Sequence, residues 1–401
     1  MKILMITIEL PYPPTSGGRM KSWNMIKYLS KRHDTSLACI IKYGTQDIET
    51  FKKAIDLQYF FYQEASHNVR SAGNLIKSYI AGIPINVYRN KQPTLARQIS
   101  QVADDFDVIL LDHFESAQFV PASFKGKVVF HAHNATYLMW ERFTRSDAAL
   151  SYRIATAIET SRIKRYERDL CHRADIVFAS PNDIDDLAAI GADRSKCRVT
   201  YHLGDDSQLA LPDMVFEETS KQLLYVGTLN WEANIDGLLW FFESIWPEVL
   251  EKDPDIVLKI VGKNPDPSLI EAAKDLKNIE FTGFVDDLEP LFKHSRLFLA
   301  PLRFGSGIKV KVLNAMCRGI PVVTTDVGAE GLEVTSGEHL AIANEAESMA
   351  SCIVTLMQDK AQWDHLATHS RQIIKDKYNW NIVLGNMNQE LENLLLVDDK
   401  A

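Results

Sequence analysis

The sequence predicts an α/β protein of two doubly wound halves, each a parallel sheet with helices on both faces. Short β-rich runs alternate with longer helical patterns along the chain. At 401 residues it is too long for one compact core. The alternation lapses at residues 203–221, LGDDSQLALPDMVFEETSK, which is acidic, contains a proline and lacks a period. The expected domains are therefore 1–204 and 205–401, with the default ligand site in a cleft between the halves. The closing stretch YNWNIVLGNMNQELENLLLV is amphipathic and is expected to pack back on the first half.

Taken in order, the first strand is Ile3–Ile8. Its apolar run in MKILMITIELPYPP is interrupted by Thr7 and Glu9 and ends in a proline-rich turn, which argues against a signal sequence. A helix over Arg19–Lys31 follows. Strands are expected at Thr35–Ile41, Val108–Leu111, Val128–His131, Ile176–Ala179 and Arg198–Tyr201, with helices at Thr94–Ala103 and Ala148–Cys171. The second half offers strands Gln222–Val226, Val257–Val261, Ile279–Thr282, Leu297–Ala300 and Val322–Thr324. Helices Asp236–Glu251, Ile308–Arg318 and Glu345–Gln358 separate several of them.

A net charge of −9 excludes a general nucleic-acid binder. The five cysteines (Cys39, Cys171, Cys197, Cys317, Cys352) form no C-x-x-C pair, which points to reduced thiols in a cytoplasm and away from zinc. No eighteen-residue apolar run is present to span a membrane. There is no Walker loop, G-x-S-x-G elbow or H-E-x-x-H sequence. Chemistry without an enzyme nucleophile suits stabilisation of a departing anion.

The segment FGSGIKVKVLNAMCRGIPVVTT, residues 304–325, puts Lys309 and Lys311 in the first turn of a helix capped by Ser306 and Gly307 and stopped by Gly319 and Pro321. Cations there oppose the helix dipole. Arg303 adds another, and no Asp or Glu occurs between Pro290 and Thr325. Lys311, Asn314 and Arg318 share one helical face. A phosphate or diphosphate would meet amides, dipole and lysines together; the alternative is a solvated basic face. Gly17 and Gly18 form a second glycine turn, after the first strand, where an anion could also approach. In VVFHAHNATY, His131, His133 and Asn134 end a strand, and Asp112 and His113 end another; each could serve a substrate or simply the structure. From Ala65 to Ala103 there is no acid, while Arg70, Lys77, Arg89, Lys91 and Arg97 mix with apolar residues. This stretch is either a membrane-surface contact or a plain solvated face.

Several segments occur in order: PYPPTSGGRMKSWNMIKYLSKRHDTSL, FHAHNATY, LLYVGTLNWEANIDGLLWFFESIWPEVL, LKIVGKNPDPSL, IEFTGFVDDLEPLFKHSRLFLAPLRFGSGIKVKVLNAMCRGIPVVTTDVGAEGLEV and YNW. Together the chain resembles the family-four glycosyltransferases (glycosyl transferases group 1) of the GT-B architecture. The resemblance implies two Rossmann-like domains, a nucleoside-diphosphate-sugar donor held by the second and an acceptor held by the first. It also implies retained anomeric configuration with no metal or cofactor required. By position, Gly17 and Gly18 would face the diphosphate, His133 the transferring sugar, and Phe284 and Val285 the base. Lys309 and Lys311 would lie at the phosphates, with Arg303, Gly305, Ser306 and Gly307 in the same turn, and Gly328, Ala329 and Glu330 would close the far side.

Two departures accompany the match. Ser306 and Asn314 stand where the family carries glutamates, the second of which usually holds the donor ribose. VGTLNWEANIDG lacks the usual Gly-Arg and downstream lysine, so Lys309 and Lys311 are the replacement cations. The implied activity is sugar transfer onto a glycan or lipid-linked acceptor in bacterial-type polysaccharide or glycoconjugate synthesis. Its setting would be cytoplasmic, with peripheral contact at the inner membrane face. The alternatives are a degenerate GT-B scaffold protein and a sugar-nucleotide epimerase.

Overall fold

The structure is a computed structural model that describes all residues except 15, 43–46, 66–71, 145–149, 202, 306 and 397–401. The chain divides into two compact units, Met1–His202 with Val383–Ala401, and Leu203–Ile382.

The first unit holds a seven-stranded sheet in the order β3-β2-β1-β4-β5-β6-β7. Its strands are β1 (Lys2–Thr7), β2 (Asp34–Ile41), β3 (Phe60–Glu64), β4 (Val108–Asp112), β5 (Lys127–His131), β6 (Ile176–Ala179) and β7 (Cys197–Val199). All pair in parallel, with Ile3 opposite Thr35 on one side and Val108 on the other. Central strands read as unbroken apolar runs because both faces are covered, and Ile3, Leu4, Met5, Ile109 and Leu110 are fully buried. The last helix, Trp380–Leu396, contributes to this unit from Val383 onward. There His33 Nε2 meets Asn388 Oδ1 at 2.6 Å, and the Arg198 guanidinium donates to Glu390 at 2.8 Å.

The second unit has six parallel strands in the order β10-β9-β8-β11-β12-β13. These are β8 (Ser220–Val226), β9 (Val257–Val261), β10 (Ile279–Gly283), β11 (Ser295–Ala300), β12 (Val322–Thr324) and β13 (Ala341–Ile342). The expected helix Asp236–Glu251 is instead Glu232–Trp240, a π-turn over Phe241–Ile245, and Trp246–Lys252. Pro247 has no N–H to give to a carbonyl in the preceding turn, so the regular ladder is interrupted there. Helix Val310–Arg318 stops as expected at Gly319, whose φ of 85° is the left-handed cap conformation. Among the described residues no helix is long and apolar enough to cross a membrane.

Candidate functional site

In each sheet the strand order reverses once, between β1 and β4 and between β8 and β11, and the crevice outside the carboxyl ends is the natural ligand position. In the first unit, helix Gly17–Ser30 starts at that point. Its cap, Ser16, accepts from the Arg19 amide, and Gly17 and Gly18 lie inside the first turn, two residues earlier than expected. A Cβ built on Gly18 would come 3.8 Å from His133 Nδ1, so the ring lies against the glycine turn. The Arg19 guanidinium is turned to Glu9, at 3.0 and 3.1 Å.

The organising group is Asp112, the fully buried last residue of β4. Its Oδ1 accepts from His131 Nδ1 and His133 Nε2, each at 2.7 Å, and its Oδ2 accepts from Ser22. His113 stacks on His133 with centroids 3.8 Å apart and planes 12° apart. It does so from a backbone at φ 90°, a rare conformation for a side-chain-bearing residue. Burial alone would raise the Asp112 carboxyl, but His133, His113 and the imidazole hydrogen bonds hold it well below the carboxylate range. Burial, then His113, push His133 well below its usual value against the pull of Asp112. The pair is therefore a carboxylate and a neutral imidazole protonated on Nε2.

Asp112, His113 and His133 offer ligand atoms within 4.8 Å of one another. The near-parallel stacked imidazoles, however, do not send their in-plane lone pairs to one point, as a tetrahedral metal would need. The loop after β5 is held from behind. The Ala135 amide donates to Asp183 at 2.9 Å, and the Thr136 and Tyr137 amides donate to Glu167 at 2.8 and 3.0 Å. Asn134 is exposed, and its Oδ1 accepts from the Thr136 hydroxyl. Burial pushes Glu167 up to about 7 even though backbone hydrogen bonds lower it.

The second unit corrects the expected lysine arrangement. Helix Val310–Arg318 has Lys309 at its N-cap position with no side-chain cap bond; Gly307 is not the cap, and Ser306 lies outside the described residues. Gly305 has φ 149° and Gly307 φ 69°, conformations that favour glycine. Lys309 donates to the Gly307 carbonyl and pairs with Glu330 at 3.2 Å. Arg303 pairs with Asp236, at 2.8 Å through Nε.

Nor do the three residues of the expected polar face act together. Arg318 is buried and binds Glu289 at 2.8 and 3.0 Å, and Asn314 Oδ1 accepts from the Asp205 amide at 2.7 Å. Lys311 reaches across to β8 and to helix Glu232–Trp240. Its ammonium donates to Asn234 Oδ1 at 2.8 Å and Tyr225 Oη at 3.1 Å, and lies 4.5 Å from the Tyr225 ring centroid. It thus serves the segment where the sequence lacks cations. Among the described residues Lys311 has only neutral hydrogen-bond partners, and burial, then Lys309, push it down to about 7.

Phe284 and Val285 follow β10. Phe284 is 57% exposed, with the Lys263 ammonium 3.8 Å from its ring centroid. Gly328 and Ala329 lie in the short helix Asp326–Ala329, where Thr325 accepts from the Gly328 amide. Sequence reasoning missed Ser22, Glu167, Asp183, Tyr225 and Asn234. Each acts through a partner distant in the chain, so local spacing carries no signal for it.

Residues 220–359 match the family described as Glycosyl transferases group 1. An uncharacterized 44.6 kDa protein in the cps region of Klebsiella pneumoniae is 23% identical, over 97% of this chain and 99% of its own length. O-antigen chain mannosyltransferase B of Escherichia coli is 28% identical over 39% of this chain and 42% of that protein. The solved structure of Anabaena HepE in complex with UDP and glucose superposes with a TM-score of 0.67 at 15% identity, covering 98% of this chain and all of that one.

Proposed function

We propose that this chain, which has the GT-B fold and matches the group 1 family at residues 220–359, is a glycosyltransferase that moves a sugar, with retained anomeric configuration, from a nucleoside diphosphate to a glycan or lipid-linked acceptor. The bond from the anomeric carbon to phosphate breaks as the bond to the acceptor hydroxyl forms, and the hydroxyl proton leaves with the diphosphate. The observation that carries the reading is Lys311, a cation with neutral hydrogen-bond partners at the switch point of the second sheet.

Arg303 and Lys309 already face protein carboxylates, whereas among the described residues no carboxylate pairs with Lys311. The N-cap residue Lys309 makes no side-chain cap bond, so the first backbone amides of helix Val310–Arg318 would add to the same position. His133 would stand beside the transferring sugar and Phe284 against the base. Asn314, its carbonyl committed to Asp205, would offer a ribose hydroxyl its Nδ2 hydrogens. Support for polysaccharide or glycoconjugate synthesis comes from the kinship with the cps-region and O-antigen proteins.

A thermal-shift screen against UDP-, GDP-, ADP- and dTDP-sugars tests the donor class. At a hundredfold excess over Kd a true donor stabilises the fold by about 2.7 kcal/mol, so one nucleotide series should raise Tm by several degrees. No shift with any of them overturns the reading.

The acceptor side of the proposal includes a membrane surface. Helix Ala72–Ile80 exposes Ile76 at 61% and Ile80 at 82%, with Lys77 between them and no acid in its first turn. Arg162 anchors the helix through the Ser78 carbonyl at 2.6 Å and lies over Tyr79. Exposed isoleucines beside cations suit an anionic lipid surface. Vesicles containing phosphatidylglycerol should co-sediment the protein at low salt, and Ile76→Ser with Ile80→Ser should abolish this. Equal binding by the double variant would remove the assignment.

A further inference from the structure

Lys21 has no place in the donor chemistry described above, yet it is the most unusual charge in the first unit. The residue is 2% exposed, and among the described residues no hydrogen-bond acceptor meets its Nζ. A buried ammonium without an acceptor is strongly unfavourable, and such a group persists where its charge is used.

Its surroundings define that use. Lys21 lies one turn after Gly18 on helix Gly17–Ser30 and just before Ser22, whose hydroxyl contacts both the Gly18 carbonyl and Asp112. Two buried carboxylates act on it, Asp112 at the end of β4 and Asp183 on helix Pro181–Ala189. These two carboxylates flank the His131–Ala135 loop: Asp112 holds His131 and His133, and Asp183 holds the Ala135 amide. Among the described residues the imidazoles of His113, His131 and His133 also face Asp112, and on the helix of Lys21 itself Arg19 pairs with Glu9.

We infer that Lys21 is a positioning residue whose ammonium keeps the Asp112–His133 pair as carboxylate and neutral imidazole, with Nε2–H donating to Asp112 and Nδ1 as the lone-pair nitrogen. A positive charge opposes a second proton on His133 and favours the ionised form of Asp112. Without it both groups bind protons more readily, and the imidazole turns from acceptor to donor at a higher pH. Burial pushes Lys21 down to about 7 against the pull of Asp112 and Asp183, so this support is strongest in acid, where His133 would otherwise protonate. The inference rests on the proposed place of His133 beside the sugar only for its catalytic consequence.

The experiment pairs two readouts on the full chain. In Lys21→Met, the ¹⁵N titration midpoint of His133, assigned with His133→Gln, should rise by about one pH unit or more. The acid limb of kcat/KM should rise with it, and Lys21→Arg should restore both. A midpoint unchanged in Lys21→Met overturns the inference, even if Tm changes. A midpoint that moves while the acid limb stays put upholds the role of Lys21 and rejects the placement of His133 beside the sugar.

Discussion

Replacing Lys311 by methionine should reduce turnover at saturating donor by about 10²-fold or more, the usual loss when one preorganised donor to a developing anion is removed. Stability should move the other way. The folded-state value of about 7 lies below the free-lysine value of 10.5. Keeping the group charged therefore costs folding free energy below pH 7, and that cost fades as pH rises from 7 to 10.5. Methionine carries no such cost, so at pH 6 the variant should melt at or above the wild-type temperature.

The same shift gives a pH signature. In the wild type, donor kcat/KM should fall as pH rises through about 7, where unliganded Lys311 loses its proton, and the limb should be absent in the variant. Steady-state kinetics and melting curves at pH 6 and 8 check this. Wild-type turnover in Lys311→Met would sink the leaving-group role.

The second large effect is expected from Asp112→Asn. Asparagine has nearly the same shape but only one acceptor oxygen, so it cannot take both imidazole hydrogens and the Ser22 hydroxyl as the carboxylate does. Charge-assisted hydrogen bonds contribute about 1.5–3 kcal/mol each, so a loss of about 2–4 kcal/mol in unfolding free energy is expected at pH 7. The depressed value of Asp112 means that its stabilisation is present above the ordinary aspartate range and is lost as pH falls through the folded-state value. The difference between wild type and variant should therefore shrink in strong acid. With His133 free to change tautomer, kcat should fall by about 10²-fold. Urea unfolding at several pH values, with turnover measured on the folded fraction, separates the two effects; a variant of wild-type stability would refute the anchoring role.

Much of the architecture was legible because buried parallel strands announce themselves as apolar runs. The runs beginning at Ile3, Val108, Val257 and Val322 are examples, each ending where a turn begins. The edge strands were not. Phe60–Glu64 keeps its residues partly exposed, and Ala341–Ile342 is only two residues long, so neither shows the signature of a strand covered on both faces.

The site residues divide in the same way. Glycine turns and strand-end histidines stand out locally, but their partners do not: Ser22 lies 90 positions from Asp112, and Asn234 lies 77 from Lys311. Helical periodicity puts Lys311, Asn314 and Arg318 on one face, yet in the structure each engages a different element. A wheel gives the angle of a side chain, and only the packed fold gives its counterpart.

The division of the chain also bears on how the protein is made. The first unit is finished by Val383 and its successors, which contribute the buried Leu384, Met387 and Leu391, while Leu203–Ile382 builds the other unit in between. At translation rates of about 5–20 residues per second, Glu390 leaves the ribosome roughly ten to forty seconds after Arg198, which it binds. During that interval the first unit lacks the buried side chains of its last helix, so its packing is completed only after the second unit has been synthesised.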